Sequence, residues 1–428
     1  MRHDALPAEP HGASPPQPPA LPDGLPDGLP DGLPDGLSDG QSVALPDGQS
    51  DALLQRARQL PKVLLHEHLD GGLRVATLLA LLQARGLPAP ADNEASLAAW
   101  FDACAHAGSL EAYLRGFALT VAAMATPEAL ARVAFEAAED ARAEGCVLAE
   151  FRIAPLLFEP YGVGGDAAVA ALLAGLSRSV LPCGLIVCAM RQESGAQIER
   201  AAELALRWHA LPLSGVPGQQ ARVVGFDLAG PEAGWPASRH AALLHRVRDA
   251  GLGLTLHAGE ADAGERVLEA ARLGAQRIGH GVRLVDLIAG PGLATQADAA
   301  RAAAVLAELR QRGVHLEICP TSNLHTGAAA SIALHPIHAL WRAGVSLSFH
   351  TDNQLMSRVD HSTEAARLVQ AGFGWGDLLQ MGLDAAEASF LPQSARQNAI
   401  RTLQAWGQAQ GVVATAHRSG DPAVRQSQ

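Results

Sequence analysis

Apolar residues along this chain fall into short runs, and between the runs they recur every three or four residues. Runs rich in Val, Leu, Ile and Ala lie near 62–66, 146–152, 184–190, 222–228, 253–257, 276–280, 314–318 and 345–349. Short, nearly continuous apolar runs bounded by turn residues are the pattern of strands buried on both faces. Beyond residue 150, alanine-rich amphipathic segments alternate with them, at about 165–178, 196–208, 237–250, 263–273, 298–312 and 334–343. Eight such β/α units predict an α/β protein, a closed (β/α)8 TIM barrel. About eighty residues separate the first two strands, too many for one crossover helix. That interval has helical periodicity at 73–84, 95–105, 109–123 and 127–144, predicting a helical insertion after strand one that caps the barrel mouth. Leu110, Tyr113, Leu114 and Phe117 share one helical face there, either as core or as a lid over an apolar ligand. Further helices are expected at 51–60, 361–371, 375–390 and 392–409.

The ends of the chain read differently. Within residues 1–50 the tetrapeptide Leu-Pro-Asp-Gly recurs at Leu21, Leu25, Leu29 and Leu33 and returns at Leu45. Proline, aspartate and glycine favour turns, and one leucine per repeat is too little apolar surface to offset ordering entropy. The domain organisation expected is a disordered repeat tail over 1–50, a barrel domain over 51–411 that includes a cap at about 73–145, and a frayed polar tail over 412–428.

Candidate chemistry sits where strands give way to loops. His66 and His68, one residue apart at the end of strand one, point to the same face. His257 follows strand five, His280 strand six and Asp352 strand eight. In a parallel barrel the C-terminal strand ends converge on one site. His66, His68, His257 and Asp352 supply four N/O donors, enough for one zinc ion with a further position open to water. Zinc lowers the pKa of such a water to roughly 7. Glu260, three residues beyond His257, is placed as proton shuttle, and His280 as the group that orients the nucleophile. Each residue also has a structural reading: His257 as a packing histidine, Glu260 as a carboxylate at a helix N-terminus, Asp352 as an Asx-turn residue. His280 stands between two glycines, which marks close backbone approach. Lys62 is the only lysine, so no lysine on strand four can bridge two metals, and a mononuclear site follows. The other histidines, among them His106, His209, His240, His245, His315, His335 and His338, read as surface or packing residues.

Composition narrows the partners. A formal charge of −12 without basic blocks argues against nucleic-acid polymers and anionic membranes. Two tyrosines and nine phenylalanines leave few stacking platforms. Five cysteines without a CxxC pair read as reduced thiols and a cytoplasmic setting. No basic-then-apolar leader opens the chain, and no apolar run approaches the ~18 residues of a membrane span.

Taken together, Pro61-Lys62-Val63-Leu64-Leu65-His66-Glu67-His68-Leu69-Asp70-Gly71, Asp227-Leu228-Ala229-Gly230, His257-Ala258-Gly259-Glu260, Gly279-His280-Gly281, Cys319-Pro320-Thr321-Ser322-Asn323 and Thr351-Asp352-Asn353 resemble the adenosine deaminase family, in its order, over roughly residues 60–400. The resemblance implies a zinc-dependent barrel that hydrolyses adenosine, a small-molecule purine nucleoside, to inosine and ammonia. It implies one zinc on His66, His68, His257 and Asp352, protonation of purine N1 by Glu260, and assistance to the attacking oxygen by His280. It further implies that the Gly230 N–H meets purine N3 and that Asp70 binds the ribose 5′-hydroxyl. An Asp-Gly pair at 70–71 favours the nucleoside over free adenine, since adenine deaminases tend to carry Glu-Gly there. Asn353 stands where the family often has Asp; its amide donates to purine N7 without prior protonation. His350 stands where Asn is common and Leu64 where Glu is frequent. The competing readings are an adenine deaminase, or an enzyme for a modified nucleoside such as methylthioadenosine or aminofutalosine. A catalytically silent binding barrel would lack one of the six key residues, and all six are present.

Overall fold

The computed structural model describes residues 47–106, 110–211, 221–290 and 295–415. Eight strands run in chain order around a single parallel sheet: β1 (Lys62–Leu64), β2 (Cys146–Ile153), β3 (Cys183–Met190), β4 (Arg222–Ala229), β5 (Gly253–Ala258), β6 (Arg277–His280), β7 (His315–Ile318) and β8 (Leu347–Phe349). Each pairs in parallel with the next. The seam between β8 and β1 closes beyond both strands. There the Asp352 N–H donates to the His66 carbonyl (3.0 Å) and the His68 N–H to the Asp352 carbonyl (2.7 Å). Lower on the seam a side chain replaces the ladder: His350 Nδ1 accepts the Leu65 N–H at 3.2 Å. Its Nε2 meets Ser348 Oγ at 2.7 Å, which is also 2.7 Å from His315 Nε2. His350 is thus a splice in the barrel wall, and His315, expected to be a surface or packing residue, is its buried anchor.

Helix α1 (Asp47–Gln59) precedes β1 and begins four residues before residue 51, where the sequence places it. Lys62 is buried and caps this helix, donating from Nζ to the carbonyls of Ala57 (2.6 Å) and Leu60 (2.8 Å). The insertion contains α2 (Val75–Ala84), α3 (Glu94–Ala105), α4 (Leu110–Met124) and α5 (Pro127–Ala143). In α5, Thr126 Oγ1 accepts the Ala129 N–H, Pro127 opens the first turn, and Leu130, Val133, Ala134, Ala138 and Ala141 form the buried stripe. Phe117 packs partly buried against the core, while the side chains of Leu110, Tyr113 and Leu114 lie outside the described residues. So do the Leu-Pro-Asp-Gly repeats up to Leu45 and residues 416–428.

The bottom of the barrel is sealed by the C-terminal helices 375–388 and 393–410. Val63, Leu65, Leu148, Ile186 and Val224 form one apolar cluster with Leu379, Leu391 and Leu403. Phe390 enters beneath β4 and β5, where Gly225 and Gly253 leave room for its ring. Residues 412–415, expected to fray, instead turn back: the Val412 N–H donates to the Gly407 carbonyl (2.8 Å) and the Thr415 N–H to that of Gly376 (3.1 Å). No single helix among the described residues is long and apolar enough to cross a membrane.

Candidate metal centre and active site

The chain carries His66 and His68 past the end of β1 in extended backbone, His257 on β5, and Asp352 just beyond β8. One ligand atom from each of these four lies within 4.8 Å of the others. His66 Nε2 is 3.2 Å from Asp352 Oδ1, His68 Nε2 is 3.6 Å from the same oxygen, and His68 Nε2 is 3.3 Å from His257 Nε2. His66 Nε2 is buried without a hydrogen-bond partner. Donor atoms turned toward one another in this way fit a cation that they share.

Carboxylates behind the imidazoles set their tautomers. His66 Nδ1 donates to Glu317 Oε2 (2.9 Å) and His257 Nδ1 to Asp227 Oδ2 (2.9 Å), which leaves Nε2 of each as a lone pair facing the centre. Ser322 Oγ donates to Asp352 Oδ2 at 2.6 Å and leaves Oδ1 for the centre. Arg152 joins the two supporting carboxylates, reaching Asp227 at 2.8 Å and Glu317 at 2.6 Å, and donates to the Leu65 carbonyl at 2.7 Å. Arg277 pairs with Glu317 (2.6 Å) and Glu150 (2.7 Å), and lies 3.8 Å over the Phe390 ring. All five of these charged residues are fully buried. Burial drives the His66 and His68 pKa values down, with the Arg152 charge adding to the effect, so both are neutral and ready to bind. Burial opposes ionisation of Asp227 and Glu317, but His257 and Arg152 for the first, and Arg152 and Arg277 for the second, hold both carboxyls well below their ordinary range.

Glu260 stands on the turn after β5 with its Oε2 3.6 Å from His280 Nε2. Burial pushes the Glu260 carboxyl pKa up; the charges of Asp352 and Glu232 add to this and His280 opposes it. A carboxyl that keeps its proton can donate it to a ring nitrogen. The His280 ring lies 4.9 Å from that of His66 and 5.2 Å from that of His257. Its tautomer is set from behind. His335 Nδ1 accepts the Ile337 N–H (3.0 Å), so His335 Nε2 donates to Asn323 Oδ1 (3.3 Å). The Asn323 amide then donates to His280 Nδ1 (3.2 Å), which puts the His280 proton on Nε2, toward Glu260. His280 and Asp352 both have φ of 62°, a left-handed conformation that non-glycine residues adopt at a cost of order 1–3 kcal/mol. Neighbouring hydrogen bonds hold both in place.

The three remaining sequence-predicted residues sit on separate loops. Asp70 follows the β1 turn, 5 % exposed, with Oδ1 buried and unpartnered; burial pushes its pKa up to about 7. Gly230 follows β4 at φ 93°, and a side chain there would strike Gln192. Asn353 follows Asp352 and packs on Gly71, where a Cβ would collide with its amide. A cavity of about 240 Å³ is lined by Ala154, Leu157, Cys188, Met190 and Ile198 among others.

Sequence reasoning missed Arg152, Glu317, Ser322, Asn323 and His335 as site-building residues. A signal existed for two of them. Glu150-Phe151-Arg152 and His315-Leu316-Glu317 set charged or polar residues two apart in otherwise apolar strands, on the face that becomes the barrel interior. His335 carried no such mark.

A (β/α)8 barrel whose C-terminal strand ends gather three imidazoles, a carboxylate and a separate carboxyl group has the parts that metal-assisted hydrolysis requires. The adenosine deaminase family matches residues 61–406. Adenosine deaminases of Mycobacterium ulcerans and Mycobacterium tuberculosis H37Rv are each 42% identical, the first over 81% of this chain and 95% of its own, the second over 80% and 93%. An amidohydrolase from Burkholderia ambifaria solved with bound zinc shares the fold, with a TM-score of 0.69 at 21% identity over 87% of this chain and 98% of its own. Adenine deaminase from Arthrobacter aurescens gives a TM-score of 0.67 at 23% identity over 82% and 99%. The chain belongs to the adenosine deaminase family, and it is an enzyme.

Proposed function

We propose that this enzyme hydrolyses adenosine, and 2′-deoxyadenosine, to inosine (or deoxyinosine) and ammonia, with one zinc ion held by His66, His68, His257 and Asp352. When bound, zinc supplies a Lewis acid that makes water nucleophilic near neutral pH. The chain's own residues do the rest. Glu260 gives its proton to purine N1 and so makes C6 electrophilic. His280, with its proton on Nε2, stabilises the oxygen that attacks C6. Asp70, whose buried oxygen lacks a partner, takes the ribose 5′-hydroxyl; free adenine has no group to offer it. The Gly230 N–H and the Asn353 amide donate to N3 and N7. Cys146, Cys183, Cys188 and Cys319 are buried thiols outside any disulfide, which supports a reducing cytoplasm.

The observation that carries this reading is a carboxyl with a raised pKa 3.6 Å from His280 Nε2, beside a four-donor cluster. The test is an absorbance assay on the zinc-loaded enzyme with adenosine, deoxyadenosine, adenine and methylthioadenosine. Conversion of the first two is expected; conversion of adenine or methylthioadenosine with adenosine untouched would overturn the substrate assignment. Glu260→Gln should lower kcat by about 10²–10⁴-fold at unchanged zinc content.

A further inference from the structure

Two residues beyond Gly230, on the same turn after β4, stands Glu232. It is 3 % exposed, and the reading above gives it no part in the chemistry. One of its oxygens, Oε2, accepts three consecutive backbone N–H groups from the neighbouring turn: Glu260 at 2.9 Å, Ala261 at 2.7 Å and Asp262 at 2.9 Å. Successive amides that converge on one oxygen form an anion-binding nest, and hydrogen bonds to a carboxylate are roughly twice as strong as neutral ones. The other oxygen, Oε1, is buried without a hydrogen bond, so the side chain is committed to this one contact. Arg191 ties the same two strands one layer below, donating to the Leu228 carbonyl (2.7 Å) and the His257 carbonyl (2.5 Å). With Gly259 at φ 69° directly before it, the peptide of Glu260 has no strand or helix ladder of its own. The Glu232 carboxylate holds it instead.

We propose that Glu232 is a positioning residue for Glu260. It fixes the backbone of residues 260–262 so that the Glu260 carboxyl is presented at the angle from which it transfers its proton, and it locks the turn that carries Gly230 to the turn that carries Glu260. The inference rests on the reading of Glu260 as proton donor. A slack Glu260 turn slows the chemical step, whereas zinc stays with ligands that Glu232 does not touch.

The test compares Glu232→Ala, Glu232→Asp and Glu232→Gln in the full zinc-loaded enzyme. For the alanine variant kcat should fall about 100-fold, the scale of a misplacement near 1 Å, with KM for adenosine within about threefold. Zinc should remain at one per chain, and amide exchange at residues 260–262 should quicken. The glutamine variant keeps an acceptor oxygen at the same reach and should recover kcat to within about tenfold of wild type. The aspartate variant, one methylene short, should fall between, and it decides the question if the alanine variant does not fold. Wild-type kcat in a folded alanine or aspartate variant would overturn the inference. So would loss of zinc in step with kcat, or a glutamine variant no better than alanine. If Glu260→Gln itself stays active, the fault lies with the proton-donor reading and not with Glu232.

Discussion

The two ends of this barrel are built from the same strands and solve opposite problems. At the N-terminal end the strands bring Val63, Leu65, Leu148, Ile186 and Val224 together under the C-terminal helices, and Phe390 fills the space left by two glycines. At the C-terminal end the strands and the turns beyond them bring together His66, His68, His257 and Asp352. Between them lies a fully buried charged layer in which Arg152 and Arg277 serve three carboxylates. The bottom is held by area removed from water and is indifferent to direction. The top is held by directed bonds, each of which leaves one atom aimed at a common point. A barrel can keep an uncompensated, lone-pair-rich centre at one end only because the other end is dry and the layer between is paired.

The comparison breaks most sharply at Arg152. Arg152→Met leaves Asp227 and Glu317 as buried carboxylates short of their cation, which should cost about 3–5 kcal/mol of stability. It should also release the orientation of His257 and His66, so metal content should drop along with the melting temperature. Full zinc occupancy in that variant would mean the charged layer does not serve the ligands. At the other end, Phe390→Ala should cost about 2 kcal/mol, less than a fully buried phenylalanine because the ring is only partly covered. Denaturant melts should register the loss while zinc stoichiometry and kcat per folded enzyme hold; a fall in kcat would show that the two ends are coupled.

A third effect appears only away from neutral pH. Burial pushes His335 at the top and His361 at the bottom down to about 3. Below the ordinary value of 6.5 the unfolded chain takes up protons that the folded chain refuses, so stability falls as pH drops from 6.5 toward 3, with no contribution above. Glu364, pushed up to about 7 by burial, works the other way: between 4.5 and 7 the folded chain holds a proton that the unfolded chain releases. Melting temperatures should therefore fall most steeply below about 4.5, where Glu364 no longer offsets the histidines and where Asp227 and Glu317, whose carboxyls the fold holds below their ordinary range, also cost stability as they are driven to protonate. His361→Asn should flatten that limb with little change in kcat, since His361 bonds to the Phe349 carbonyl and Cys146 and to none of the site residues. An unaltered limb would remove His361 from the account.

Much of this was legible along the chain. The apolar runs placed all eight strands to within two or three residues, because a strand buried on both faces leaves little room for polar side chains. That His66, His68, His257 and Asp352 come together was legible too, since histidines and an aspartate placed at strand ends of a parallel barrel converge at one mouth. The docked residues 412–415 were not, as the Thr415 N–H bonds to the carbonyl of Gly376, distant in sequence. Equally hidden was the support behind the site. Glu317 lies 251 positions from His66, and the Glu260 turn borrows its anchor from Glu232, 28 positions earlier.

The amino-acid order by itself determined the architecture and the identity of the donors, because hydrophobic period and strand-end position are local properties. Tertiary structure alone decided which nitrogen of His66, His257 and His280 carries the proton, which carboxyl has its pKa raised, and how the Glu260 turn is held. Those depend on burial and on hydrogen bonds between strands, and both come into being only when the barrel closes.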